Sequence, residues 1–159
     1  MKNNLSLRIL LRLPKFIVSD PYEAFFSVAL FLTGVTDIVE PRATGAIQKL
    51  LPVWETYSWG AVLIIGSALT FIGLVLSSRA KTIDRLQDAR ITERLGQLLL
   101  GVATSLWSFV LFSLGVLAVA SGILTLFLAF VFFVKSAVLK RMEEYIVESA
   151  MMPDHKEGG

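Results

Sequence analysis

From Leu95 to Val134 the chain runs for forty residues without a Lys, Arg, Asp, Glu or His. A single α-helix of that length would extend about 60 Å at 1.5 Å per residue, roughly twice the hydrocarbon thickness of a bilayer. A soluble fold would interrupt such a run with polar faces. The stretch therefore reads as two transmembrane helices joined by a tight reversal. Its midpoint falls at Leu114–Gly115, within a turn at residues 113–115. Ser121–Gly122 is a competing register, because that pair is also a breaker signal.

The whole chain of 159 residues, 55% hydrophobic and 18% charged, is consistent with one membrane domain. The net charge of +2 is spread over the flanks of the apolar runs, with no dense basic tract of the kind a nucleic acid backbone attracts. There is no cysteine, so disulfides, thiol chemistry and Cys-based metal sites are excluded. His155 is the single histidine and lies in a polar tail, where solvation is its default state. No cofactor is expected.

Met1 to Ser19 carries Lys2, Arg8, Arg12 and Lys15 and no acid, with Leu5, Ile9 and Leu13 at helical spacing. This reads as an amphipathic helix on an anionic membrane surface, ending near Pro14. A mitochondrial presequence has the same composition and stays open as an alternative. Asp20, Pro21 and Glu23 then form a helix start: a capping residue, a proline suited to the first turn, and an acid three residues beyond the cap. The first span runs over about 21–39, and Glu23 and Asp37 at its ends are expected to reach the headgroups.

An external connection follows to Glu55, with a short interfacial helix over Ala43–Leu51. Trp54, Tyr57 and Trp59 cluster at one level and read as interface anchors. The second span covers about 57–78, with Gly66, Thr70 and Gly73 on one face as a small-residue stripe. The third covers about 95–114, with Gly101, Ser105 and Ser108 as a second such stripe. Both stripes are candidate helix-association faces. Gln97, Ser105, Ser108 and Thr125 are the polar groups expected to hydrogen-bond between helices. The fourth span covers about 116–135, rich in Leu and Phe, and Val138, Met142, Tyr145 and Ser149 predict that its helix continues to about Ala150. The membrane domain is thus 20–152, followed by a disordered tail from Pro153 to Gly159.

Lys and Arg number four before the first span, five between the second and third, and four after the fourth, against two in the external connection. Thirteen against two satisfies the positive-inside rule and puts both termini in the cytoplasm of a cell whose inner membrane holds the chain. The cytoplasmic basic face then comprises Arg8, Arg12, Lys15, Arg79, Lys81, Arg85, Arg90, Arg94, Lys135, Lys140 and Arg141. No nucleophile–base pair, phosphate loop or metal cluster is visible in the sequence, and a non-enzymatic role is expected.

Three motifs carry a resemblance: Ser19-Asp20-Pro21-Tyr22-Glu23-Ala24 opening a short span, Leu50-Leu51-Pro52-Val53-Trp54 in the loop, and Tyr57-Ser58-Trp59-Gly60 entering a Gly/Ala-rich helix. Over about Ser19 to Ser78 the chain resembles the small multi-span membrane proteins of tailed bacteriophages of actinobacteria, some described as holin-like. The resemblance implies accumulation in a host inner membrane and association into homo-oligomers that breach it. It supplies no site motif. The other expectation is an anchored interaction module, whose cytoplasmic basic face recruits a soluble protein partner. Both share an all-α membrane fold of four spans in two hairpins, with the lipid bilayer as partner and no nucleic acid.

Overall fold

The computed structural model describes residues 20–40, 52–113 and 119–151, with side chains through Glu148 in the last stretch. Among these residues all regular structure is helical: α1 Pro21–Val39, α2 Val53–Arg79, α3 Ile83–Ser113 and α4 Val119–Met151. Each of the four is long and apolar enough to cross a membrane.

The distribution of side chains is the reverse of a soluble bundle's. Phe25, Phe109, Leu124 and Phe130 are between 62% and 71% exposed, while Ser27, Ser67, Thr70, Thr104, Ser108, Glu23, Glu93 and Gln97 are buried. Water would penalise so much contiguous apolar surface, whereas lipid tails do not. The apolar core is correspondingly small, with Leu63, Leu100, Ala103 and Phe132 at its centre.

Without a hydrophobic drive between helices, close backbone approach supplies the attraction. Helices consecutive in the chain pack on one another. At the α1–α2 crossing, a Cβ on Gly34 would lie 2.7 Å from the Gly60 carbonyl oxygen, and one on Gly60 2.8 Å from that of Gly34. At the α2–α3 crossing, a Cβ on Gly96 would lie 2.5 Å from the Thr70 amide nitrogen and 2.6 Å from the Gly66 oxygen. Both contacts are with main chain, which cannot step aside. Three of the buried hydroxyls bond to carbonyls of their own helices, whereas those of Thr56, Ser67, Thr70 and Ser77 have no hydrogen-bond partner among the described residues. Ser27 donates to the Glu23 carbonyl at 2.8 Å, Thr104 to Leu100 at 2.7 Å and Ser108 to Thr104 at 3.1 Å.

Several boundaries sharpen. The first span coincides with α1. Helix α2 starts at Val53, so Trp54 and Glu55 belong to the helix and not to the connection. Helix α3 starts at Ile83, so the charged stretch is continuous with the third span. Ser121–Gly122 lies inside α4, which excludes the hairpin register there; the turn expected at 113–115 extends outside the described residues. Asp20 precedes Pro21 as expected but makes no side-chain cap hydrogen bond. The surface helix over 1–19, the interfacial helix over 43–51 and the tail from 153 lie outside the described residues.

Candidate functional site

The four helices alternate in direction, so the charged residues bordering the apolar runs of α1, α3 and α4 fall at one level of the bundle. Glu23 opens α1, Glu93 and Arg94 precede the apolar part of α3, and Lys135 follows that of α4. At this level the side chains turn inward and meet. Lys135 Nζ lies 2.7 Å from Asp20 Oδ2 and 3.0 Å from Glu23 Oε2. The Gln97 amide nitrogen donates to Glu23 Oε1, joining α3 to α1. Arg90 donates to Glu93 Oε2 at 2.9 Å, and Arg94 to Glu143 Oε2 at 2.5 Å. Gln97 and Glu93 are almost fully enclosed, and Glu23 is 8% exposed.

Glu23 was expected to reach the headgroups; it points into the bundle, because Lys135 and Gln97 offer it partners that lipid does not. Asp37 is likewise 3% exposed, enclosed beside Gly60 of α2. From the polar layer to the opposite ends of α1, α3 and α4 is about 24–30 Å at 1.5 Å per residue, close to a hydrocarbon thickness. The layer thus lies toward one end of the spans. Beyond it α2 continues to Arg79 beside α3 and α4, and α3 and α4 extend past its end as a projection. Ala89 and Leu139 are fully enclosed there, and Arg94–Glu143 bridges the base.

The candidate association faces are occupied inside the monomer. Gly66, Thr70 and Gly73 pack on α3, where Gly66 faces Leu100 and Gly73 faces Glu93. Gly101 faces the Phe133 ring of α4. Ser105 and Ser108 bond to their own helix, as does Thr125, so of the four expected interhelical donors Gln97 alone bridges helices among the hydrogen bonds described. Trp54 and Tyr57 stay outward at 67% and 44% exposed. Trp59 turns inward and stacks on Trp107, with centroids 5.2 Å apart at 29°.

Of the basic face, Arg79, Lys81, Arg85 and Arg141 are exposed, and Lys140 reaches Glu144 at 3.8 Å. Arg90, Arg94 and Lys135 are drawn into the inward pairs above. Arg8, Arg12 and Lys15 lie outside the described residues. The sequence reading missed the Asp20–Glu23–Lys135–Gln97 cluster. The available signal was that antiparallel spans place residues 23, 93 and 135 at one depth with opposite charges. Among the described residues no group of His, Cys, Asp or Glu could hold a metal ion.

Partial burial would raise the Asp20 pKa, but the hydrogen bond and charge of Lys135 outweigh it and hold the carboxyl below its ordinary 3.8. A depressed folded-state pKa contributes stability that is fully present above the unfolded value and lost as pH falls through the folded one. Thermal unfolding in detergent should accordingly weaken below pH 3.8, and Asp20→Asn should flatten that part of the profile. An unchanged profile would mean that the Asp20–Lys135 pair contributes nothing to stability.

Comparison with protein-family models, with curated proteins and with solved structures finds no match.

Proposed function

We propose that this is a non-enzymatic integral membrane protein whose four-helix bundle mounts the α3–α4 projection for a protein partner. One observation carries the reading. Past the polar layer, Val138, Met142 and Tyr145 are 42%, 47% and 72% exposed on one side of α4. They adjoin Leu86 and Ile146 across a shallow groove rimmed by Arg90 and Arg141. An apolar stripe in water with a basic rim is the composition of a docking face for an amphipathic, acidic segment. The Lys and Arg distribution supports placing this side in the cytoplasm.

The resemblance to holin-like phage proteins supports a second reading, a lesion former that assembles from copies of the chain. Its small-residue stripes being enclosed, such an assembly would use the exposed Phe109, Phe127 and Phe130 surface. Induced expression in a bacterial host separates the two. The mount leaves membrane potential intact and retains a soluble partner that Met142→Asp releases without loss of the folded bundle. An abrupt collapse of potential, with no partner sensitive to Met142→Asp, would overturn the mount in favour of the lesion former.

A further inference from the structure

A cavity of about 170 Å³ lies between α1 and α4 at the polar layer. One end is lined by Asp20, Glu23, Gln97 and Lys135, and the remainder by Phe26, Leu128, Val131 and Phe132. Tyr22, Phe26 and Val131 are exposed, so the cavity opens sideways toward lipid and not along the bundle axis. Among the described residues its polar end holds two carboxylates against one ammonium, a surplus of one negative charge there. The neighbouring Glu93 is already matched by Arg90.

The second observation is Gln97, 2% exposed and lining the same cavity. Its NH2 group donates to Glu23 Oε1, which accepts it as an ionised carboxylate. The Gln97 Oε1 is then a buried acceptor with no hydrogen-bond partner among the described residues. A buried amide oxygen without a donor is costly, so the site calls for N–H groups as well as positive charge.

We propose that this groove binds the primary ammonium headgroup of a membrane lipid, as in phosphatidylethanolamine, with an acyl chain along Phe26, Leu128 and Val131. A quaternary ammonium brings charge without an N–H, and an anionic headgroup without an amine meets Asp20 and Glu23 directly. The groove therefore discriminates among headgroups through both charge and donor capacity. The apolar lining ties the amine to a lipid and not to a free solute.

The full chain, purified in detergent and reconstituted in phosphatidylcholine vesicles doped with either phosphatidylethanolamine or phosphatidylglycerol, is read by native mass spectrometry for retained lipid. Phosphatidylethanolamine should be retained about tenfold or more over the other two, the discrimination a charged hydrogen bond supplies. Glu23→Gln should abolish the preference. Because Glu23 also braces the bundle, Val131→Trp is the second variant: it fills the apolar end from a lipid-exposed position and should reduce retention with the fold unchanged. Equal retention of the three lipids would overturn the proposal, as would a preference that survives both substitutions. Displacement of bound lipid by free ethanolamine would overturn the lipid assignment and leave a soluble-amine site.

Discussion

Gly96→Leu should unseat α3 from α2 and leave a chain that inserts but does not pack. A Cβ there would meet the Thr70 nitrogen at 2.5 Å and the Gly66 oxygen at 2.6 Å, and the remaining leucine carbons would have to displace main chain. Overpacking a tight contact costs about 1–3 kcal/mol, and a contact between two backbones belongs at the upper end because no rotamer relieves it. The crossing also positions Gln97 beside Glu23, one residue along α3. The expected result is a large fall in the detergent or SDS unfolding midpoint together with loss of Trp59–Trp107 stacking, read by tryptophan fluorescence. An outward leucine such as Val102→Leu, at a position 49% exposed, should leave both unchanged.

Lys135→Met removes the ammonium that, among the described residues, faces Asp20 and Glu23. Truncating one partner of a buried pair costs about 3–5 kcal/mol, because the other charge stays enclosed without compensation. Lys135 and Asp20 are each about a third exposed, and Glu23 has Gln97 as well, so a loss of about 2 kcal/mol is expected. Pairing the change with Glu23→Gln should recover part of it, since two neutral groups of similar shape replace the ion pair. An equilibrium unfolding series of the two single variants and the double variant measures the coupling. Additive losses would show that the carboxylate and the ammonium do not sense one another.

The elements were legible because breaking the backbone's hydrogen bonds inside a bilayer is so unfavourable that long charge-free runs must be helical. Asp20-Pro21 fixed the start of α1 for the same local reasons that operate in water, whereas α2 starts at Val53, four residues before the span expected from Tyr57. The rotation of each helix about its axis was not legible. In lipid the outer face is as apolar as the inner one, so hydropathy does not separate Phe130, which is exposed, from Phe132, which is enclosed. Trp59 illustrates the consequence: its residue type and level suit an interface anchor, yet its azimuth brings it to Trp107. Glu23 and Lys135 were each readable as boundary residues. Their pairing depended on α1 and α4 being neighbours with those faces turned inward, which is a property of the assembled bundle. The small-residue stripes were readable as contact faces, but not whether the contact was with another copy or with the next helix of the same chain.

The central claim is that four helices cross a bilayer, with the polar layer and the α3–α4 projection on one side and the opposite helix ends on the other. Because the chain has no cysteine of its own, single substitutions report on sidedness without interference. Thr82→Cys and Glu148→Cys mark the projecting end, and Glu40→Cys and Pro52→Cys mark the far one, all at exposed positions. A membrane-impermeant maleimide applied to sealed right-side-out and inverted vesicles should label the first pair from one face and the second pair only from the other. Labelling of Glu148→Cys and Pro52→Cys from the same face, or recovery of the unlabelled chain in the soluble fraction without detergent, would contradict it.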